Sequence, residues 1–494
     1  MSQIIKRAGN VLHNTISKIN KNIVWLIWLN VVIALSQFIV YSFINKSLGK
    51  EILGVWSLVV AATSIGQISS FGFSSSLVRY LPEMFLKNQH ENITRILGTI
   101  NFSNFFLTLP ILLLLYFPAI QYAEHLLNQQ QLLIFKSVIP LSMAGLFINN
   151  LFSVYSYLLD AMQKYYLRCI IQIIGWVFFL MLSILLMPGY GLNAVAIAFV
   201  IQNLLQFVLI VGVVSRFGLL SRKYPLHFDK TFFRQVFSFG LKSQYINILV
   251  IFFDPLVKFF ITKDIGLAST GYYELSNKIV MQARNLLVST NQVIIPKIIL
   301  NQNAGTENNY FNEVSFKNVF YSVSVGMLVL LFSPLVVILF SNEYDSFLMQ
   351  CIIILNFGWV CNMITSVHYY CCIGLDKMGQ LVIYHLVLSI TVVIFYFFLS
   401  RYLNWKSLYF AIPAVALFIG SIYISWSLSK RIHSAFSWLK SGIFLYFIIV
   451  SLLLFIFHHT KTVALTFIIM PVFFLPYIFL VFRQYKTGKL FNPQ

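Results

Sequence analysis

The sequence has few charged residues. They make up only 10% of its 494 positions, whereas an average soluble domain is about 25% charged. Hydrophobic residues reach 59% and come in blocks of about 20, long enough to cross the hydrocarbon core as a helix. Because a helix satisfies its own backbone hydrogen bonds, it can cross lipid. We therefore predict an all-α polytopic membrane protein with about 14 transmembrane helices.

The sequence also lacks the usual motifs of catalysis and cofactor binding. It contains no phosphate-binding glycine loop, no zinc motif and no nucleophile elbow. Five cysteines show neither metal-ligand spacing nor a disulfide framework. No cleavable signal peptide is visible, since the first apolar block is long enough to remain as a helix. We expect no cofactor, no metal, no enzymatic activity and no direct use of ATP.

The apolar blocks place the individual membrane spans. Residues 2–22 show apolar positions at helical spacing with cations beside them, which predicts an amphipathic helix on the cytoplasmic leaflet. A loosely ordered basic tail is the alternative for this segment. The predicted spans lie near 24–45, 53–75, 97–118, 131–157, 169–188, 191–215, 236–262, 267–294, 317–340, 346–372, 379–400, 405–428, 440–458 and 462–482.

The formal net charge of +20 is explained by the loops. In this map, 23 of the 34 Lys and Arg residues lie in loops on the side of the N-terminus, and 6 lie in the opposite loops. Cytoplasmic loops of membrane proteins carry such an excess. We predict that both termini are cytoplasmic in a multi-pass membrane protein, and that nucleic acid is not a partner.

Two pairs of short segments indicate an internal repeat. Residues 48–56 and 265–273 share the pattern apolar-Gly, four residues, Gly, one residue, aromatic, at an offset of 217 positions. Residues 159–162 and 375–378 resemble each other at an offset of 216. The repeat predicts two parallel six-helix lobes around a central cavity; chance similarity of helix ends is the alternative. The predicted parts are an N-terminal segment 1–23, an N-lobe 24–215, a cytoplasmic linker 216–235, a C-lobe 236–428, and 429–494 with two last spans and a cytoplasmic tail.

The predicted seventh and eighth spans carry charges, whereas the first two spans carry none. Buried charges in membranes are expensive and usually face a cavity or a partner. Asp254 with Lys258, and Glu274 with Lys278, are spaced to pair on one helix face. The charged residues of these two spans are Lys242, Asp254, Lys258, Glu274, Lys278 and Arg284.

These charges predict a net-positive, water-filled cavity for an anionic substrate. Phosphate or pyrophosphate suits Arg and Lys. Lys258, Lys278 and Arg284, with help from Lys242 and Arg79, are the candidate substrate-binding residues. Alternatively, some of these cationic side chains extend to the membrane interface or form ion pairs that are only structural.

Two segments at the start of the chain resemble a known family. Residues 48–57 and 70–80 are similar to Wzx-type polysaccharide-repeat flippases of the multidrug/oligosaccharidyl-lipid/polysaccharide exporter superfamily. The resemblance implies two six-helix lobes in a V around a cationic cavity. It also implies a polyprenyl-pyrophosphate-linked oligosaccharide as substrate, such as an O-antigen unit, moved from the cytoplasmic to the periplasmic leaflet.

Other functions remain as alternatives. A multidrug or metabolite antiporter of the same superfamily often has an acidic residue in its first helix, and 24–45 has none. A lipid II-type flippase is a second alternative. A membrane glycosyltransferase or polymerase is a third, although no acidic catalytic loop is present. We expect Asp254 and Glu274 to hold the cations and to couple transport to an ion gradient. Membrane lipids and the polysaccharide polymerase and chain-length machinery are expected partners.

Overall fold

The computed structural model describes most of the chain. The described residues are 2–70, 73–87, 89–218, 227–291, 294, 298, 307–341, 344–375, 377–402, 406–429, 432, 435–459, 472 and 474–478. All regular structure in these ranges is helical. The helices are α1 Ser2–Leu48, α2 Lys50–Gly66, α3 Phe73–Leu86, α4 His90–Ser103, α5 Leu109–Glu124, α6 Gln129–Ala161, α7 Tyr165–Tyr190, α8 Asn193–Arg216, α9 Lys230–Ile265, α10 Leu267–Thr290, α11 Glu307–Ser341, α12 Ser346–Gly374, α13 Met378–Tyr402, α14 Ala411–Ser429 and α15 Gly442–His459.

Ten helical segments among the described residues are long and apolar enough to cross a membrane. They confirm the all-α polytopic class. Helices α9 and α10 are not among the ten, although two predicted spans coincide with them. Both helices contain charged residues near their middle, which lowers their mean hydropathy. The predicted span 462–482 lies largely outside the described residues, so the number fourteen stays a prediction.

The first helix differs in form from the sequence-based expectation. Residues 2–22 are helical, and this segment continues without a break into the predicted first span as part of α1. Its side chains are described from Val24 onward. Its position on the membrane surface stays a prediction.

Two glycines of the repeated motif separate neighbouring helices. Gly49 lies between α1 and α2 with φ of +92°, and Gly266 lies between α9 and α10 with φ of +103°. Side chains with a Cβ rarely adopt this left-handed backbone, whereas glycine adopts it without steric conflict. The positive φ that each sharp connection requires therefore explains why the first residue of each motif's glycine pair, Gly49 or Gly266, is a glycine.

The chain divides into two compact units. One contains Met1–Phe43 and Leu58–Ile248, and the other contains Ile44–Ser57 and Leu249–Gln494. In the second unit, α12 is the central helix: most of its side chains are buried, and it packs against α10, α11, α14 and α15. The five cysteines, Cys169, Cys351, Cys361, Cys371 and Cys372, are all free and buried.

In the first unit, polar groups are buried where two helices are irregular. A 3₁₀ turn over Gln67–Ser70 follows α2, and a π-helical turn over Asn104–Thr108 joins α4 to α5. The Asn104 amide donates to Ser74 Oγ at 3.2 Å and to the Asn150 carbonyl at 3.4 Å. Such side-chain bonds hold membrane helices together.

The second unit has a polar cluster at similar positions of the repeat. The amide of Asn291, which is 217 positions after Ser74, donates to Asn318 Oδ1 and to Ser366 Oγ, both at 2.8 Å. Ser366 follows Asn150 by 216 positions. The paired clusters support the repeat. The parallel arrangement of the two lobes stays a prediction.

Candidate functional site

The buried side chain of Lys258 connects α9 to α10. Its Nζ lies 2.7 Å from Asp254 Oδ2, one turn earlier on α9, and 2.6 Å from Glu274 Oε2 on α10. Lys278 Nζ lies 3.7 Å from the other oxygen of Glu274. Both pairs expected from the four-residue spacing are therefore present, and a Lys258–Glu274 contact between the helices joins them.

These four side chains neutralise one another. Two carboxylates face two ammonium groups, so the cluster has no formal net charge. The side chains of Lys258 and Glu274 are each 1% exposed, whereas Asp254 and Lys278 are 31% and 32% exposed. A buried ion pair is tolerated when further hydrogen bonds satisfy its remaining atoms. The central pair is thus enclosed, and the outer two groups reach the surface of the unit.

Neutral side chains complete the cluster. Asp254 Oδ1 accepts from the Tyr273 hydroxyl at 3.1 Å and from the Asn277 amide at 3.2 Å. The Ser57 hydroxyl of α2 donates to Glu274 Oε2 at 3.3 Å. Ser57 and Glu274 are 217 positions apart, which is the repeat offset. The same place in the two copies of the repeat thus holds a hydroxyl and a carboxylate that contact each other.

The start of α2 crosses α10 at very short range. A Cβ placed on Gly54 would lie 2.1 Å from the Leu267 carbonyl oxygen, and one on Gly271 would lie 2.9 Å from the Lys50 carbonyl oxygen. Gly54 and Gly271 are the second glycines of the two motifs. Close backbone approach through glycine is common between membrane helices. This crossing brings Ser57 within reach of Glu274.

An outer ion pair lies beside the crossing. Lys50 Nζ is 3.0 Å from Asp345 Oδ2, and the Tyr272 hydroxyl also donates to this oxygen. The other carboxylate oxygen of Asp345 caps α12 by accepting from the amides of Phe347 and Leu348. Burial alone would raise the pKa of Asp345, but these hydrogen bonds and the Lys50 charge hold the pKa below its usual value.

Arg284 has different surroundings from the lysines. Its Nε donates to Asn362 Oδ1 at 2.6 Å, and its Nη1 donates to Asn285 Oδ1 at 3.2 Å. The guanidinium carbon lies 5.2 Å from the centre of the Trp359 ring. No carboxylate of the described residues forms an ion pair with Arg284. A partly buried cation held only by neutral groups is a typical anion-binding group, because an incoming anion supplies the missing charge.

Trp359 connects the two sites. Its indole N–H donates to Asn277 Oδ1 at 2.8 Å, and Asn277 donates to Asp254. The charged cluster and Arg284 therefore share one hydrogen-bonded and stacked network. Two side chains, Asn277 and Trp359, thus lie between Asp254 and Arg284.

The structure places five of the seven predicted site residues. Asp254, Lys258, Glu274 and Lys278 form one cluster, and Arg284 lies apart from them on α10. The side chains of Lys242 and Arg79 lie outside the described residues.

Sequence reasoning missed the neutral partners. Two of them had a recognisable signal: Ser57 occupies the repeat position of Glu274, and Asn362 is one of three amide side chains in the predicted span 346–372. For the other neutral residues, nothing in the sequence indicated that they contact the charged side chains of the site. The missed residues are Ser57, Tyr273, Asn277, Asn285, Trp359, Asn362 and Tyr384. Among the described residues, no group of three or more His, Cys, Asp or Glu could hold a metal ion.

Comparisons with solved structures show the fold. The lipid II flippase MurJ in an inward closed conformation matches with a TM-score of 0.71 at 14% identity, over 94% of this chain and 99% of that chain. An inward-facing multidrug resistance MATE family transporter of the MOP superfamily matches with a TM-score of 0.69 at 13% identity, over 84% and 96%. A Vibrio cholerae MATE transporter matches with a TM-score of 0.60 at 13% identity, over 87% and 99%.

A sequence comparison adds the family. No curated protein matches the chain. A family model described as polysaccharide biosynthesis protein matches residues 46–349, which is more than half of the chain and includes all of α9 and α10. The resemblance that the motifs indicated is confirmed at this level. The chain belongs to the polysaccharide biosynthesis protein family, and it is a multi-pass membrane protein with the fold of MOP-superfamily transporters.

Proposed function

We propose that the protein is a flippase for a polyprenyl-pyrophosphate-linked oligosaccharide. It moves an O-antigen unit or another surface-polysaccharide unit from the cytoplasmic to the periplasmic leaflet by alternating access. Arg284 is the observation that carries the proposal. This cation lies within α10, its described partners are neutral, and the matched family is one of polysaccharide biosynthesis proteins. A pyrophosphate carries the charge that this site lacks.

The charged cluster suits a coupling role. Lys258 is enclosed by Asp254 and Glu274, so a substrate can reach its ammonium group only after one of these two ion pairs has broken. Proton uptake by Glu274 or Asp254 would release Lys258, and this would link transport to an ion gradient. Lys278 and Arg284 make the first substrate contacts in this scheme, and Lys258, Lys242 and Arg79 contribute as the substrate is inverted.

The orientation follows from the loop charges. Both termini lie in the cytoplasm of a bacterial inner-membrane protein, with membrane lipids around the helices and the polymerase and chain-length machinery as partners. Reporter fusions at Gln494 and after Tyr122 should report opposite sides of the membrane. The same side for both would contradict this orientation.

Reconstitution tests the function. Proteoliposomes containing a fluorescent polyprenyl-pyrophosphate oligosaccharide should expose it to a membrane-impermeant glycosidase faster than liposomes without protein. The Lys258/Lys278/Arg284→Gln triple variant should lose this exposure, and it should fail to complement a strain that lacks its flippase. Full activity of the triple variant would refute the cationic site.

The same assay separates the alternatives. Transport of lipid II in preference to the polysaccharide precursor would assign a lipid II-type flippase. Transport of small organic cations would instead assign an antiporter. Loss of the triple variant from the membrane would show that the cations have a structural role.

A further inference from the structure

The surroundings of Arg284 extend into a set of aromatic rings. Asn362, which accepts from Arg284, donates its own amide to the Tyr384 hydroxyl at 2.8 Å. The Tyr384 ring centre lies 4.9 Å from that of His385 and 6.1 Å from that of Tyr369. One carboxamide thus joins the guanidinium to an aromatic cluster on α12 and α13.

The cluster combines buried and accessible rings. Tyr384 and His385 are buried, whereas Tyr369, Asn362 and Arg284 are partly exposed. The Tyr369 and His385 rings meet edge to face, with centres 5.9 Å apart. Tyr369 is therefore held by two buried neighbours, Tyr384 and His385, and part of its own surface remains exposed.

The partial exposure of these groups distinguishes them from a buried helix contact. Asn and His side chains often join membrane helices by hydrogen bonds across a buried interface, whereas Asn362, Tyr369 and Arg284 are partly exposed. The cluster therefore places amide, hydroxyl and guanidinium groups beside aromatic faces at a partly exposed position. A pyranose requires both kinds of group, since its C–H face packs on a ring and its hydroxyls exchange hydrogen bonds with planar polar side chains.

We propose that Asn362 and Tyr369, with the buried His385 holding the Tyr369 ring in place, form a subsite for the sugar that is joined directly to the pyrophosphate. This inference rests on the proposed function, because Arg284 must hold the phosphate. The Arg284–Asn362 hydrogen bond of 2.6 Å places the carboxamide next to the guanidinium, and in the substrate the sugar follows the phosphate by one bond. The protein therefore recognises the first sugar of the oligosaccharide in addition to the charge of the pyrophosphate.

Two probes test the subsite on the purified full-length protein in lipid nanodiscs. One is a short-chain prenyl pyrophosphate, and the other is the same molecule with one N-acetylhexosamine on its terminal phosphate. The wild-type protein should bind the sugar-bearing probe about tenfold more tightly, as expected for one or two additional hydrogen bonds and a ring contact. The Tyr369→Leu variant should bring the ratio of the two Kd values close to one.

Two further variants serve as comparisons. Arg284→Gln should weaken the binding of both probes, which separates the phosphate contact from the sugar contact. Tyr321→Leu changes an exposed tyrosine on α11 and should keep the wild-type ratio.

Each outcome gives a distinct answer. Equal binding of the two probes by the wild-type protein overturns the sugar subsite and leaves the proposed function standing. A wild-type ratio that persists in Tyr369→Leu also overturns the subsite. Failure of the wild-type protein to bind either probe overturns the proposed function together with the subsite.

Discussion

Helices α2 and α10 begin alike and then differ in charge. Each follows a glycine with positive φ, and each has a second glycine five positions later. Beyond that point α2 is uncharged, whereas α10 carries an acid and two cations. The α10 residues at the repeat offset of 217 from Ser57, Ala61 and Gln67 are Glu274, Lys278 and Arg284.

This difference separates architecture from function within the repeat. The glycines keep the close crossing, which either copy needs in order to pack. The charges occur in one copy only, so packing does not require them. We infer that the repeat provides a scaffold and that α10, with α9, gives the protein its chemistry. The predictions below test this division.

Replacing Glu274 by Gln makes α10 resemble α2 at this position. Lys258 would then keep Asp254 as its only ion-pair partner. Removing one partner from a buried pair typically costs about 3–5 kcal/mol, and we expect the low end of that range because Asp254 remains. Membrane abundance and the melting temperature in detergent measure the effect. Ser57→Ala removes one hydrogen bond to the same carboxylate and should cost only about 1 kcal/mol; an equal loss in the two variants would contradict the ion-pair account.

Replacing Arg284 by Gln removes the cation whose partners among the described residues are all neutral. Because the guanidinium forms no ion pair with a described carboxylate, the fold should persist. Flipping activity should fall by about 100-fold, which corresponds to the free energy of one or two charge-assisted hydrogen bonds. Arg284→Lys should recover part of the activity if charge alone matters, and little of it if the phosphate is held by two parallel bonds. Gln67→Ala, at the matching repeat position in the 3₁₀ turn after α2, should behave as wild type.

Adding a methyl group to Gly54 tests the shared architecture. The new Cβ would meet the Leu267 backbone oxygen at 2.1 Å, and backbone cannot move aside as a flexible side chain can. Overpacking of this kind typically costs about 1–3 kcal/mol. Gly271→Ala, at 2.9 Å from its nearest neighbour, should be milder. Gly379→Ala meets nothing within 4 Å and should have no adverse effect; equal loss in all three would refute the importance of the crossing.

Replacing Asn362 by Asp gives Arg284 the carboxylate that it lacks. The internal anion would compete with phosphate, so binding of a prenyl pyrophosphate should weaken about tenfold while membrane abundance stays at least at the wild-type level. Asn362→Leu removes the hydrogen bond without adding a charge. If both variants weakened binding equally, the lost hydrogen bond and not the added charge would be responsible.

The smallest effect concerns the outer pair of Lys50 and Asp345. Asp345→Ala loses a helix cap, at a cost of about 1 kcal/mol. Asp345→Asn keeps a capping side chain but loses the carboxylate oxygen that pairs with Lys50 and accepts from Tyr272, at about 0–1 kcal/mol for a partly exposed ion pair. The pKa of Asp345 is lowered in the folded protein, so the contribution of its charge is complete above the usual carboxyl pKa and is lost as the pH falls below that value. The difference in melting temperature between wild type and Asp345→Asn should therefore shrink only in strongly acidic solution.

The sequence predicted the parts of this molecule that depend on local pattern. Apolar blocks of helical length located most of the helices, although the predicted span 53–75 did not anticipate that α2 ends at Gly66 and that α3 begins at Phe73. The four-residue spacing predicted that Asp254 would pair with Lys258. It did not predict the Lys258–Glu274 contact, because that depends on how α9 and α10 meet. The surroundings of Arg284 were also missed, since Trp359 and Asn362 follow it by more than 70 positions and only tertiary packing brings them together.

The burial of all five thiols has a practical consequence for labelling. A maleimide or an oxidant reacts with a thiolate that it can reach, and none of the native cysteines is at the surface. A single introduced thiol, such as that of Tyr321→Cys, should therefore label selectively in the otherwise unaltered sequence. Movements of this protein can be followed by site-directed fluorophores or spin labels without first replacing its own cysteines.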